Sequence, residues 1–179
     1  MGMIEAHIDF LAVDVVNNMP VVVLGSAQTD KLLPIWIGVN EASAIAMEVK
    51  GMAAARPLTH DLLKNTIEAM GGRLARVEIT ELKEQTFYAR LYIALDGREV
   101  EIDARPSDSI ALALKTRSPL YAEESLFVIP REDLRDEDDE DEDRPPSPPP
   151  SGDQPPPSQE SLADRLRRID PLEFGKYSL

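Results

Sequence analysis

The chain contains no cysteine, only nine glycines among 179 residues, and few aromatic side chains. Without cysteine it can form neither a disulfide nor a thiolate metal site, and such a composition is compatible with the reducing cytoplasm. Long apolar runs are missing as well, because Glu5, His7, Asp9 and Asp14 interrupt the apolar stretch at residues 4–16. Neither a secretory signal nor a membrane span is therefore expected. These absences predict a soluble, cytoplasmic protein.

Basic charge is scarce. The chain has 19 Lys and Arg against 33 Asp and Glu, a formal net charge of -14. Residues 1–130 hold 18 acidic and 12 basic side chains, a net of -6, so the remaining -8 belongs to residues 131–179. A protein that grips duplex DNA through its phosphates normally presents a basic surface. The balance argues against high-affinity, non-specific binding of duplex DNA and leaves room for a small basic site.

The composition changes sharply at Pro130. Residues 1–130 are rich in Val, Ile, Leu and Ala with regular periodicity, which predicts one compact domain. Residues 131–158 form an acidic and then proline-rich segment. Like charges repel one another and proline favours extended backbone, so this segment is predicted to be a disordered linker.

The last segment, residues 159–179, is predicted to be a short amphipathic tail. Ser161 can cap a helix, and Leu162, Leu166 and Ile169 fall on one stripe. Two interpretations stay open: a docking peptide for a protein partner, or a marginal helix that is largely disordered, because isolated helices this short are weak in water.

One pattern occurs twice in the predicted domain, 65 positions apart. Residues 37–50 read IGVNEASAIAMEVK and residues 102–115 read IDARPSDSIALALK, so identical Ile, Ala and Lys residues recur at matching places. Apolar, strand-like stretches precede both copies. The pattern predicts two related strand-helix halves around a pseudo-two-fold axis, with equivalent strand-to-helix turns close together.

The remaining periodicity predicts an α+β domain with a mostly antiparallel or mixed sheet and helices on one face. Asp96-Gly97 indicates a tight hairpin. A helix after RPLTHD is predicted to start at an N-cap Thr59 and to end at Gly71-Gly72. Its buried stripe is predicted to consist of Leu62, Leu63, Ile67 and Met70.

Five blocks in the predicted domain carry a family resemblance: LPIWIG at residues 33–38, EASAIA at 41–46, RPLTHDLL at 56–63, TFYARL at 86–91 and IDARPSDSIALAL at 102–114. In order and spacing they resemble the bifunctional nuclease (BFN) domain family over residues 3–130. The resemblance implies the corresponding fold, self-association into a homo-oligomer, and nuclease activity on DNA and RNA.

Phosphodiester hydrolysis needs an activated water and positive charge on the phosphate oxygens. Arg56, His60 and Asp61 stand together at one predicted helix start, and we predict catalytic roles for them. His60 is the candidate base, with a hydrogen-bonded structural histidine as the alternative. Arg56 is a candidate phosphate clamp, with a bridge to a carboxylate as the alternative.

The second predicted helix start supplies Asp103, Arg105 and Asp108, and Glu41 stands at a third. Arg105 is another candidate phosphate clamp. Asp103 and Asp108, with Glu41 or Asp61, are candidate oxygen ligands for Mg²⁺ or Mn²⁺, although their spacing matches no specific metal motif. Asp108 is equally explained as a first-turn carboxylate favoured by the helix dipole.

Three functional hypotheses follow. The first is a metal-assisted nuclease acting on single-stranded or otherwise accessible DNA and RNA. The second is a non-catalytic oligomeric module that binds a partner protein or a small anion. In the third, the acidic tail mimics nucleic acid and occupies the domain's own site.

Overall fold

The computed structural model describes residues 2–134 and 162–171 as an α+β structure. The predicted linker from residue 135 onward, the Ser161 cap and residues 172–179 lie outside this range. The strands are β1 (Met3–Asp14), β2 (Met19–Ser26), β3 (Thr29–Trp36), β4 (Arg73–Lys83), β5 (Thr86–Leu95), β6 (Arg98–Ala104), β7 (Leu120–Glu123), β8 (Ile129–Pro130) and β9 (Leu166–Arg168). The helices are α1 (Val39–Val49), α2 (Thr59–Ala69), α3 (Pro106–Thr116) and the single turn α4 (Leu162–Arg165).

The predicted duplication is confirmed by the order of these elements. Each half is a three-stranded antiparallel meander followed by a helix: β1, β2, β3 and α1 in the first, and β4, β5, β6 and α3 in the second. Strand β7 joins the halves, because it pairs antiparallel with β1 and parallel with β4. The sheet therefore has the order β6-β5-β4-β7-β1-β2-β3-β8, and it is mixed, as predicted.

Both repeated helices bury the residues that the repeat shares. Ile45 and Ile110 are fully buried, as are their neighbours Ala46 and Ala111 to within a few per cent. Burying one such isoleucine contributes about 1.5–3 kcal/mol. Small Ala side chains beside the isoleucines let α1 and α3 lie close to each other and to the sheet.

Strand β2 explains why the sequence shows a continuous apolar run there instead of an alternation. Val22 and Leu24 face the main core under the helices. Val21 and Val23 face a second core that includes Ile129 and further apolar side chains: Ala12, Leu32, Leu134 and Leu166. Both faces of β2 are covered, so both side-chain sets are apolar.

Residues beyond Pro130 contribute to that second core. A 3-10 turn at Arg131–Leu134 packs against the domain, and Arg131 donates to both carboxylate oxygens of Asp9 at 2.9 and 3.1 Å. After residue 161 the chain returns, and β9 pairs antiparallel with Ala12–Asp14 of β1. The tail thus extends the sheet at the edge that β1 presents beyond β7.

The predicted buried stripe of α2 is wrong for most of its members. Leu62 and Met70 are 63 and 68 % exposed and Leu63 is 40 % exposed, whereas Ile67 is half-buried against the core. The helix contacts α3 and β4 through a narrow face only, so its apolar side points away from the rest of the described structure. Its N-cap is Leu58 instead of Thr59, which is the first helical residue.

Two further features agree with the sequence. Asp96 and Gly97 have φ of 51° and 75° and form the predicted hairpin turn between β5 and β6. None of the helices in residues 2–134 and 162–171 has the length and apolar character needed to cross a membrane.

Candidate active site

Helices α1, α2 and α3 bring their charged residues together at one end of the domain. Pro106 occupies the first turn of α3, where its fixed φ suits the helix. The preceding Arg105 is extended, with φ of -71° and ψ of 146°, as a residue before proline prefers to be. This conformation lets the Arg105 guanidinium turn back over the start of α3.

Arg105 bridges α1 and α3. Its Nε and Nη2 atoms donate to the Asp108 carboxylate at 2.7 and 3.1 Å, and Nη1 donates to Glu41 Oε1 at 3.0 Å. Gly38, the N-cap of α1, makes this possible because a Cβ at that position would collide with the Glu41 carboxylate. The Arg105 side chain is still 65 % exposed, so one side of the guanidinium faces solvent.

His60 joins the same carboxylate from α2. Its Nε2 atom lies 3.1 Å from Asp108 Oδ1, and the imidazole is 14 % exposed. In the tautomer in which Nε2–H donates to Asp108, the Nδ1 lone pair is available to accept a proton. The structure therefore brings four of the predicted residues into one group: Glu41, His60, Arg105 and Asp108.

A second group lies beside the first. Lys115, near the end of α3, places Nζ 2.5 Å from Glu48 Oε1 of α1 and 2.5 Å from Asp61 Oδ1 of α2. The Lys115 side chain is 10 % exposed. We call the two groups together the three-helix cluster, which consists of Glu41, Glu48, His60, Asp61, Arg105, Asp108 and Lys115.

Sequence reasoning missed Glu48 and Lys115, although a pattern pointed to them. Glu41 and Glu48 are seven residues apart on α1, and Asp108 and Lys115 are seven apart on α3. Residues seven apart share one face of a helix. Each repeated helix therefore carries a charged pair on one stripe, and these stripes meet across α1 and α3.

The contacts in the cluster favour the ionised forms of Asp61 and Asp108. Hydrogen bonding by Lys115 and the Leu58 N–H keeps the pKa of Asp61 below its usual value. Burial disfavours the charged form of Asp108, but hydrogen bonds from Arg105 and His60 outweigh it and lower the pKa. Burial also disfavours the charged form of Lys115, but hydrogen bonds to Asp61 and Glu48 outweigh burial and raise the pKa of this lysine.

Arg56 lies next to the cluster without joining it. It is exposed in the loop before α2 and forms no ion pair with another described residue. A pocket of about 470 Å³ opens there, lined by Arg56, Glu48, Asp61, Lys64 and Lys115 among others. Arg56 is thus the cation in this pocket whose charge is not already neutralised by a carboxylate.

The predicted metal ligands do not form a ready-made site. Asp103 is exposed on β6, and its carboxylate makes no hydrogen bond or ion pair with any described residue. Glu41 and Asp108 are already engaged by Arg105. Across residues 2–134 and 162–171, no three His, Asp or Glu side chains are arranged to hold a metal ion. The donor set therefore does not fit a preformed divalent-metal centre.

Comparison with protein families matches residues 22–131 to the model of the bifunctional nuclease domain. The protein named Uncharacterized protein Rv1829 from Mycobacterium tuberculosis is 45 % identical over 122 residues, which cover 68 % of this chain and 73 % of the mycobacterial protein.

Plant proteins are similar over a shorter stretch. Bifunctional nuclease 1 of Oryza sativa subsp. japonica is 32 % identical over 101 residues, 55 % of this chain and 30 % of the plant protein. Bifunctional nuclease 2 of Arabidopsis thaliana is 27 % identical over 101 residues, 55 % of this chain and 31 % of its own length. The matched region is thus about a third of each plant protein.

Proposed function

The chain belongs to the bifunctional nuclease domain family, and we propose that it hydrolyses phosphodiester bonds in DNA and RNA in the cytoplasm. The observation that carries this proposal is the group formed by His60, Asp108 and Arg105, with Nε2 of His60 3.1 Å from Asp108 and the Arg105 guanidinium open to solvent. The names of the plant relatives support the same reaction.

His60 is proposed as the general base. Asp108 accepts a hydrogen bond from Nε2–H of His60 and orients the imidazole, so that Nδ1 takes a proton from a water molecule. The water oxygen then forms a bond to phosphorus while the bond from phosphorus to the leaving oxygen breaks. Solvent supplies the proton that the leaving oxygen takes up. An imidazole oriented by a carboxylate suits this role.

Arg105 and Arg56 are proposed to bind the phosphate. The non-bridging oxygens gain negative charge in the transition state, and a guanidinium can donate two hydrogen bonds to them at once. Arg105 stands beside the His60–Asp108 pair, and Arg56 borders the adjoining pocket. Asp61, held by Lys115 and the Leu58 N–H, is proposed to position α2 and hence His60.

No step in this scheme goes through a divalent metal, because the candidate ligands are engaged by Arg105 or lie apart from the group. The requirement for Mg²⁺ or Mn²⁺ stays a prediction. A cleavage assay run with Mg²⁺, with Mn²⁺ and with EDTA tests this requirement.

A specific observation favours a second candidate function, an oligomeric binding module. Three apolar side chains at α2 are exposed: Leu62 and Leu63 within the helix and Met70 at its C-cap. Met52 and Leu58, which precede the helix, are exposed as well. Such a surface is typical of a protein contact. We propose that a second copy of this chain covers it, which is compatible with catalysis as well as with a binding role.

The test of the nuclease proposal is a cleavage assay on the full chain with labelled single-stranded DNA and RNA. The double variant Arg105→Ala/Asp108→Ala is purified in parallel, and its thermal midpoint is measured to check the fold. We expect cleavage by the parent chain and none by the variant. Equal cleavage in both preparations would place the activity elsewhere, and no cleavage in either would favour the binding module.

A further inference from the structure

Unpaired basic side chains are unevenly distributed over this acidic molecule. Most described Lys and Arg residues face a carboxylate. Six form no ion pair within residues 2–134 and 162–171: Lys31, Arg56, Arg73, Arg98, Arg117 and Arg167. Three of the six, Arg56, Arg73 and Arg117, line two adjacent depressions along α2.

Lys64 lines both depressions, so they are adjacent, and we call the pair the two-depression feature. The first is the 470 Å³ pocket beside the three-helix cluster. The second, of about 300 Å³, is lined by Lys64, Arg73 and Arg117 together with the hydroxyl-bearing Thr116 and Ser118. Among the described residues, Glu68 is the only carboxylate that lines the second depression, and its Oε1 atom is 3.9 Å from Lys64 Nζ.

Helix α2 gives this feature its direction. Asp61, Lys64 and Glu68 are spaced by three and four residues and therefore share one face of the helix. Seven residues of α-helix rise about 10 Å. The feature thus runs from the pocket lined by Asp61 and Lys115 of the three-helix cluster along α2, for a length that spans more than one phosphate of a nucleic-acid strand. The exposed Leu62 and Met70 line neither depression.

Arg117 adds an independent observation. It ends α3 with φ of 53° and ψ of 37°, the left-handed conformation in which glycine is strongly favoured at a helix end. The other non-glycine residues with positive φ in the described structure are Asn18, Glu84, Gln85 and Asp96, all in the turns between neighbouring strands. An arginine in this conformation costs stability, yet Arg117 lines the second depression and forms no ion pair with a described residue.

We propose that Arg56, Lys64, Arg73 and Arg117 form a cationic groove that binds the phosphate backbone of single-stranded nucleic acid and leads it to the three-helix cluster. The proposal rests on the proposed nuclease function, and it adds Lys64, Arg73 and Arg117 as a substrate-binding site. The groove reconciles the negative net charge with a nucleic-acid substrate, since the cations are concentrated where the strand binds.

The test measures binding of a fluorescent oligothymidylate to the full chain by anisotropy, in EDTA and over a series of salt concentrations. Each phosphate contact contributes roughly 0.7 to the slope of log affinity against log salt for a single strand. We expect the variant Arg73→Ala/Arg117→Ala to bind more weakly and to lose about 1.4 from the slope, as two lost contacts require. The control Lys31→Ala/Arg167→Ala removes the same charge from unpaired cations outside the groove, and we expect it to keep the slope.

Three results would overturn the proposed groove. They are an equal loss of affinity in both double variants, an unchanged salt slope in Arg73→Ala/Arg117→Ala, and no oligonucleotide binding by the parent chain. The variant Arg117→Gly excludes a folding defect as the cause, because glycine suits the left-handed position: we expect weaker binding without a lower thermal midpoint. Binding measured in EDTA separates this proposal from the nuclease proposal. We expect the difference in salt slope between the groove variant and the control variant whether or not the parent chain cleaves.

Discussion

His60 and Asp108 are 48 positions apart in the chain, yet Nε2 of the histidine lies 3.1 Å from Oδ1 of the aspartate. The contact joins the first turn of α2 to the first turn of α3, and Arg105 holds the same carboxylate from the other side. The first turn of a helix favours a carboxylate. That preference places Asp108 where it can orient an imidazole and a guanidinium at once.

Arg105→Lys tests whether the shape of the guanidinium matters. Lysine keeps the charge but cannot donate to Glu41 and Asp108 in the same forked geometry. Because the side chain is largely exposed, we expect the free energy of unfolding to fall by less than about 1 kcal/mol. Cleavage should fall at least roughly tenfold. Parallel urea unfolding and cleavage measurements check this, and an unchanged cleavage rate would argue against a phosphate role for Arg105.

Lys115→Met tests the second group of the cluster. The substitution leaves the carboxylates of Glu48 and Asp61 facing each other without their shared cation. Breaking a buried pair in this way costs about 3 kcal/mol, and we expect a loss of that order in urea unfolding. The triple variant Glu48→Gln/Asp61→Asn/Lys115→Met should recover part of it. A loss no larger than that of the exposed control Lys31→Met would contradict the assigned role.

Stability should depend on acid pH. The pKa values of Asp14, Asp61 and Asp108 are all lowered in the folded protein. The unfolded chain binds protons more readily at these groups, so their contribution is complete above their unfolded pKa of about 3.9 and is lost as pH falls through the lower folded values. We expect urea midpoints to drop below roughly pH 4. In the Asp61→Asn variant, the urea midpoint should drop less steeply with falling pH than in the parent. A pH profile identical to that of the parent would contradict a contribution of Asp61 to stability.

The docked tail should stabilise the domain through Asp14. This carboxylate is fully buried, and burial opposes its ionisation, but the Trp36 indole at 3.0 Å and Arg165 at 2.6 Å hold its pKa low. Arg165→Ala removes the only cation paired with Asp14 in the described structure. We expect about 1–3 kcal/mol less stability, because Trp36 and backbone N–H groups still bond the carboxylate.

The matched control for the tail is Arg167→Ala. Arg167 is exposed on β9 and makes no ion pair with a described residue, so we expect little change. Equal unfolding free energies for the Arg165 and Arg167 variants would show that the tail does not dock through Asp14. Truncation after Leu134 should cost more than Arg165→Ala, since it also uncovers the second core at Leu166.

Sequence patterns predicted the turns and buried faces that depend only on residues close together in the chain. Asp96-Gly97 specifies its turn by backbone preference alone, and the repeated Ile and Ala residues specify the buried faces of α1 and α3. The stripe of α2 failed because amphipathic spacing shows which side of a helix is apolar but not what covers it. Leu62 and Met70 are apolar and nevertheless exposed to solvent in the single chain.

The candidate site was predictable only in part for the same reason. Asp61 and Asp108 were found because helix starts favour carboxylates. Arg56 and Arg105 were found because each precedes a proline ahead of a predicted helix. The Lys115 contacts to Glu48 and Asp61 depend on how three helices pack, which no single segment encodes. Likewise, the tail was predicted to be an amphipathic segment, but its pairing with β1 depends on an edge left open where β7 ends.

The most direct test of the central claim compares the chain's two histidines. His60→Gln and His7→Gln are purified in parallel with the parent, and cleavage of labelled single-stranded DNA and RNA is followed with Mg²⁺, Mn²⁺ or EDTA. His7 is exposed on β1, outside the three-helix cluster. The account predicts that His60→Gln lowers the cleavage rate by roughly 10²–10⁴, the usual contribution of a general base, with an unchanged fold. It predicts that His7→Gln matches the parent. Equal cleavage by the two variants would contradict a catalytic role for His60.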